Sequence, residues 1–385
     1  MIRNFDSSYV GTVDLKNLGY AGTPINDRWH TPEELRGALY KAERYAETMD
    51  GLGFDTFWMA EHHFQPEGTE CIPNVLMMGL HLAGRTKNLR IGCGFNVTPM
   101  WHPLRLAEDY AMADVLSRGR IRFGVARGYH TREVETFGAP LIDQNANREL
   151  FEEQCEVIFK AFNEEKFSHK GKHYTIPAEV EYRGYQLKTL TLVPRPLTTP
   201  VECWQPIQSG TPRAMDFMAK YNMGGLIGGG SAEGGAVDKH MDEFQAAYAR
   251  RGIALGRGEK LALGYQFYIA ESREAAINAA RQYYEENMKM FGELRLVRNL
   301  SEAQIQAMRS PALAGGIPLP SIEEAVNAGG FLAGTAADII AALKAVERRY
   351  PGLDRVVCSQ PLGTPLDVAM EQLNRLAKEV KPAFV

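Results

Sequence analysis

Glu61-His62-His63 closes a run, residues 54–60, that is otherwise aromatic, β-branched and apolar. An acid and two imidazoles side by side can hold or move protons near neutral pH, because an unperturbed histidine titrates at about 6.5. Neighbouring strand residues point to opposite faces, so one imidazole turns inward and the other turns outward or into the next loop. That geometry argues against a shared metal, and no H-E-x-x-H spacing supplies one; no metal is expected. A structural histidine, satisfied by backbone carbonyls, fits the same position.

Two further stretches suit an anion. Arg127 follows the apolar stretch Phe123-Gly124-Val125-Ala126 and precedes Gly128. An arginine there can clamp a phosphate with two parallel hydrogen bonds. Gln208-Ser209-Gly210-Thr211 offers hydroxyls and backbone N–H groups at the start of a helix, where phosphates bind through unpaired N–H groups and the helix dipole. The plainer reading is an arginine paired with a helix carboxylate, beside an ordinary N-cap. Residues 228–235 also look phosphate-like, although a lone glycine-rich loop is commonly just a loop. Paired carboxylates of the glycosidase kind would need acids on two strands, and only Glu61 is well placed. No G-x-S-x-G turn marks a serine hydrolase.

These groups must be held by something. Short apolar runs at 54–60, 89–97, 121–126, 201–208, 224–227, 261–269 and 355–359 read as strands. Amphipathic segments at 32–52, 74–86, 104–116, 147–162, 212–221, 236–251, 273–290, 336–350 and 366–380 read as helices. Thr31-Pro32-Glu33-Glu34 is an N-cap with proline at the first helical position. Regular alternation of this kind implies a parallel sheet with right-handed crossovers. An eighth strand, near 2–10, is weak because Asp6-Ser7-Ser8 interrupts it. Eight βα units predict an α/β fold of the (β/α)8 TIM-barrel type, with the chemistry at the C-terminal strand ends. The alternative, an open doubly wound sheet, loses ground because no G-x-G-x-x-G follows the first strand. Residues 1–385 are expected to form one barrel domain, with an insertion at 163–200 and a lid at 291–330, where little periodicity is visible.

Composition narrows the class. The chain has 385 residues, 45% of them hydrophobic and 23% charged, enough for a large core. A net charge of -4 with no Lys/Arg cluster argues against nucleic acid. Cys71, Cys93, Cys155, Cys203 and Cys358 are scattered and form no C-x-x-C pair, which suits a reduced, cytoplasmic compartment. No signal-peptide pattern or membrane-length apolar run is present, so no membrane partner is expected.

Taken together, "GFDTFWMAEHHF", "AGRTKNLRIGCGFNVTPMWHPLRLAEDYAMADVLSRGRIRFGVARGYHTREVETFGA", "KGKHYTI…LVPRP" and "FLAGTAADIIAALKAVE…GLDRVV" resemble the bacterial luciferase-like superfamily of flavin-dependent monooxygenases. The likeness runs from about residue 32 to the C-terminus. It implies a two-component enzyme in which a separate flavin reductase supplies FMN as FMNH2. O2 would add to the flavin as a 4a-hydroperoxide, which would oxygenate a small, partly apolar substrate. His62 would serve the chemistry, with His63 supporting the site. Arg127 would hold the FMN phosphate, helped by Ser209 and, more weakly, Thr211. Glu61, Gly94, Phe95, Asn96 and Gln208 would line the flavin, with a cis Gly94–Phe95 bond beneath it. A homodimer through 74–86 and 104–116 is implied too. Ala126 stands where luciferases carry a reactive cysteine, and "GGLIGGGSAEGG" replaces a tryptophan-containing stretch, so light emission is not implied. The alternatives are a deazaflavin-dependent oxidoreductase of the same superfamily, a non-catalytic flavin-binding subunit, and an unrelated metal-dependent barrel hydrolase.

Overall fold

In a computed structural model, residues 1–208, 210–228, 235–297, 299–314 and 316–384 are described. Eight parallel strands close on themselves: β1 Asn4–Tyr9, β2 Thr56–Met59, β3 Arg90–Cys93, β4 Ile121–Ala126, β5 Cys203–Ile207, β6 Gly224–Gly228, β7 Leu261–Ile269 and β8 Arg355–Ser359. Closure comes from β4 pairing β5 and from β1 pairing both β2 and β8. The fold is therefore a (β/α)8 barrel. Around it stand α1 Pro32–Gly51, α2 Val75–Arg85, α3 Pro103–Ser117, α4 Gln144–Asn163, α5 Pro212–Lys220, α6 Ala236–Ala249, α7 Arg273–Glu293, α8 Ala336–Arg349 and α9 Leu366–Arg375.

Local sequence explains most of these elements. Thr31 and Glu34 form a reciprocal capping box at the start of α1, which buries Ala38, Ala42, Tyr45, Ala46 and Met49 at helical spacing. Inside the barrel, the Trp58 and Trp204 rings meet edge to face with centroids 5.6 Å apart. They pack with Ala262 and Val357 beneath Phe95 and Leu226. Gly92 makes room for this, because a Cβ there would sit 2.2 Å from the Trp58 ring.

The polar start of β1 is part of the barrel. Asp6 is fully buried, accepts from Trp58 Nε1 at 2.8 Å and pairs with Arg355 at 2.7 Å. Ser8 and Ser359 hydroxyls lie 2.7 Å apart. Of the polar residues that weaken the apolar pattern of β1, Asp6 and Ser8 are thus satisfied by hydrogen bonds to β2 and β8.

Two expectations change. Residues 291–330, read as a stretch of little periodicity, contain helices at Glu302–Arg309, Pro311–Ala314 and Ile322–Asn327, of which the first and last carry capping boxes from Ser301 and Ser321. A further strand, Phe331–Gly334, pairs with the C-terminal half of β7 while β8 pairs with its earlier half. Nine-residue β7 is long enough to serve both. The 163–200 excursion folds into two small antiparallel pairings, His169–Lys170 with Thr175–Ile176 and Glu181–Tyr182 with Tyr185–Gln186. No helix among the described residues is long and apolar enough to cross a membrane.

Candidate active site

A cavity of about 280 Å³ opens at the C-terminal ends of β2 to β6. A second, of about 310 Å³, lies toward β1, β7 and β8. Both are bounded by Gly94, Phe95 and Leu226, so the Phe95 ring stands between them. The Gly94–Phe95 peptide bond is cis. Tyr9, Tyr45, Trp58 and Phe291 give the second cavity aromatic walls.

At the end of β2, alternation separates the two histidines. His62 is buried and lines the first cavity, whereas His63 turns away to pack against Phe64 and Phe137. Glu61 is taken up by protein groups. Its carboxylate accepts from Val97 N–H at 2.6 Å and Trp101 Nε1 at 2.8 Å, and lies 3.1 Å from His63 Nε2. It ties the end of β2 to the turn after β3 and also lines the first cavity. Asn96 Nδ2 donates to Gly124 O at 2.8 Å, tying the segment after β3 to β4, and Asn96 is not among the residues that line the first cavity.

Both ring nitrogens of His62 are engaged. Nδ1 lies 3.3 Å from each Glu133 oxygen, while Nε2 lies 2.9 Å from Tyr129 Oη and 3.2 Å from Glu70 Oε1. Tyr129 donates to Glu70 Oε1 at 2.7 Å, and His130 Nε2 lies 2.8 Å from the other Glu70 oxygen. Gln65 Nε2 donates to Glu133 at 2.9 Å. Burial pulls the His62 pKa down, but the Glu70 and Glu133 carboxylates outweigh it and hold it above its ordinary value. Burial likewise pushes Glu133 up, yet its bond to His62 keeps it below the usual carboxylate range. Burial and then Glu70 raise Tyr129 well above an ordinary phenol. The ligating atoms of His62, Glu70 and His130 lie within 4.8 Å of one another. Direct hydrogen bonds join them into one cluster in which each ring nitrogen of His62 faces a carboxylate.

The opposite end is cationic. Arg127 donates to Asn147 Oδ1 at 3.1 Å. Burial first, then the charge of Arg148 and of Arg213, holds its pKa below the ordinary guanidinium value. Arg148 lines the cavity and lies 3.7 Å from Glu152, which Arg213 grips with two bonds of 3.1 and 2.7 Å. Two guanidinium groups therefore share the Glu152 carboxylate, with that of Arg127 near by. Gln208 and Gly210 line the same wall just before α5. Gly210 has φ +58°, and a Cβ there would sit 2.1 Å from His240 Nδ1, so the backbone passes where no side chain fits. Thr211 is the N-cap of α5 but makes no capping bond, and it is exposed, outside the cavity wall. Ser209 and residues 229–234, most of the glycine-rich stretch, lie outside the described residues. An uncapped helix start beside surplus arginines suits a phosphate.

Sequence reading missed Arg148, Glu70, Tyr129, His130 and Glu133. The stretch after β4 does place Tyr129, His130 and Glu133 within four residues of one another, a signal of clustered polar groups. Arg148 sits near the start of α4 with nothing nearby in sequence to pair it with Arg127.

The model of the luciferase-like monooxygenase family matches residues 19–353. The chain is 27% identical over 346 residues to the oxygenase component of the flavin-dependent trigonelline monooxygenase of Acinetobacter baylyi, covering 87% of each. It is 34% identical over 128 residues to the alkanal monooxygenase alpha chain of the Kryptophanaron alfredi symbiont, covering 33% of this chain and 34% of that one. The chain spans about a third of the length of the first curated relatives it matches. Among solved structures it is similar to the oxygenating constituent of 3,6-diketocamphane monooxygenase from Pseudomonas putida in complex with FMN, at TM-score 0.72, 18% identity and 99% and 98% coverage. An F420-dependent secondary alcohol dehydrogenase bound to an F420-acetone adduct matches at TM-score 0.67 and 13% identity over 100% of both chains. At such identities these structures show the fold alone.

Proposed function

We propose, from the premise that this chain belongs to the luciferase-like monooxygenase family, that it is the oxygenase of a two-component system. It would use O2 and FMNH2, delivered by a separate flavin reductase, to oxygenate a small, partly apolar organic molecule. The observation that carries this reading is one cavity with clustered guanidinium groups at one end and a buried histidine–carboxylate cluster at the other. The residues fit a phosphorylated flavin. Arg127 and Arg148, with Gln208, Gly210 and the start of α5, would hold the phosphate. Gly94 and Phe95 would underlie the ring system. Reduced flavin, when bound, supplies the electrons that activate O2. Met215, Met218 and Leu226 give the cavity an apolar wall that keeps water out. His62 and Tyr129 hold protons at its edge. The aromatic second cavity would take the organic substrate.

Residues 1–385 are read as a single domain. Residues 291–330 would cover the mouth, since Phe291 lines the second cavity and Leu296 the first. Met77 on α2 and Met112 and Leu116 on α3 are exposed, which supports a homodimer through those helices. A cytoplasmic setting, where a reductase keeps flavin reduced, goes with this reading. The trigonelline relative is an oxygenase component, which supports the two-component arrangement.

A deazaflavin coenzyme is the second reading, favoured by the similarity to the F420-dependent dehydrogenase fold. Anaerobic titration separates the two. Reduced FMN is expected to bind, reduced F420 is not, and a substrate panel under 18O2 should yield a product carrying one labelled atom. Tight binding of F420 without FMN would reverse the assignment. A flavin bound without any O2-dependent product would leave a flavin carrier.

A further inference from the structure

Behind the first cavity lies a separate hollow of about 270 Å³, walled by Thr69, His130, Arg132, Lys289 and Glu293. Tyr129 lines both. An unbroken line of hydrogen bonds crosses the wall between them, from His62 Nε2 to Tyr129 Oη at 2.9 Å, from Tyr129 to Glu70 Oε1 at 2.7 Å and from Glu70 Oε2 to His130 Nε2 at 2.8 Å. Glu70 is fully buried, and each of its oxygens serves a different neighbour. The geometry answers a difficulty at His62. With both ring nitrogens bonded to the protein, its imidazole has no free N–H to offer the cavity, whereas Tyr129 touches both the cavity and His62.

We propose that Tyr129, Glu70 and His130 form a proton relay that feeds the active site from water in the rear hollow. The relay rests on the reading of the chain as a flavin-dependent oxygenase, whose bound flavin and substrate fill the front entrance during turnover. With its hydroxyl turned from Glu70 toward the first cavity, Tyr129 gives its proton to a basic atom there and takes the Nε2 proton of His62 in the same event. Glu70 takes a proton from His130 on Oε2, turns its carboxyl so that the same oxygen faces His62, restores the Nε2 proton and returns to carboxylate. His130 recovers its proton from water. One proton enters at His130, one leaves at Tyr129, and no electron moves.

The charged groups around His130 come from three directions: Glu67 and Glu70 from the loop after β2, Arg132 and Glu133 from its own turn, and Lys289 and Glu293 from α7. Arg132 is already paired with Glu67 at 2.8 Å, and Lys289 with Glu286 at 2.8 Å. Glu70 is therefore the group hydrogen-bonded to His130 that can exchange a proton with it.

The test is single-turnover oxidation of enzyme-bound FMNH2 by O2, followed in stopped flow across neutral pH in H2O and D2O, with no organic substrate needed. Tyr129→Phe and Glu70→Gln keep the shape and remove the transferable proton. Each should bind FMNH2 like the wild type, slow the proton-dependent phase at least about tenfold and alter its solvent isotope effect. His130→Ala should slow the same phase, and added imidazoles that enter the vacated hollow should restore it, the more basic ones better. Rescue that ignores basicity would overturn the relay, because a packing role needs only volume. Unchanged rates and pH profiles in folded, FMN-binding variants would overturn it too, as would stoichiometric metal that leaves with Glu70→Gln. If the wild type fails to bind FMNH2, the functional reading falls and takes the relay with it; normal binding with unchanged rates removes the relay alone.

Discussion

The two ends of the first cavity are built on opposite principles. At the β2 end, His62 sits between Glu70 and Glu133, and Tyr129, His130 and Gln65 complete the set of partners. At the β4–β5 end, Arg148 and Arg213 pair with Glu152 while Arg127 donates to Asn147, and burial first, then the charges of Arg148 and Arg213, lowers the pKa of Arg127. A cluster whose charges are matched inside the protein is preorganised and needs no ligand to exist. A cluster with cations to spare is completed only by an anion. The first end is therefore suited to moving protons and the second to holding a phosphate.

The largest expected effect breaks the proton end. His62→Gln should lower product formation by about 10²-fold, because positioned acid–base groups contribute about 10²–10⁴-fold to rate, while the dissociation constant for FMNH2 stays within about twofold. His63→Gln, facing Phe64 and Phe137, should cost less than about threefold. Product quantified after single turnover decides it, and equal losses in the two variants would dissolve the distinction between the two faces of β2.

Next comes the phosphate end. Arg127→Ala should weaken FMNH2 binding about ten- to a hundredfold, since a charge-assisted hydrogen bond is worth about 1.5–3 kcal/mol. Arg148→Ala should weaken it by about tenfold. Glu152→Gln sharpens the comparison, because removing the shared carboxylate should tighten binding by up to about fivefold. Anaerobic fluorescence titration reads all three, and a Glu152→Gln variant that binds more weakly would mean that the carboxylate orients the arginines.

A smaller effect concerns Glu61. Glu61→Gln cannot satisfy Val97 N–H, Trp101 Nε1 and His63 together, and should destabilise the fold by about 1–3 kcal/mol in denaturant unfolding. A loss of FMNH2 affinity at unchanged stability would return Glu61 to the flavin.

The subtlest difference is in pH. His62 has a raised pKa in the fold, so its pairing with Glu70 and Glu133 stabilises fully below its unfolded value and is lost as pH rises through the folded one. Glu133 has a lowered pKa, so its contribution is present above its unfolded value and lost as pH falls through the folded one. Wild-type stability relative to His62→Gln should therefore shrink on the alkaline side, by thermal unfolding across neutral pH. Arg127→Ala should show no such alkaline loss, because a guanidinium does not titrate there.

Sequence alone determined the barrel and placed Arg127 at its mouth, because both are written locally. The period of apolar residues marks 121–126, 261–269 and 355–359 as strands with the bounds they have in the structure, and Arg127 follows such a strand directly. What carried no local signature was missed or underrated. β1 reads weakly because the partners that make Asp6 and Ser8 acceptable, Arg355 and Ser359, lie some 350 residues away in the chain. The strand Phe331–Gly334 is only four residues long and owes its place to the upper half of β7. His62 is marked by its own motif, but its pKa is raised by Glu70, further along the same loop, and by Glu133 from the turn after β4, and Arg148 becomes a neighbour of Arg127 only when α4 packs beside β4. The tertiary structure decided these points because electrostatic environment depends on distance in space, and closing the barrel brings together side chains that no sequence window contains.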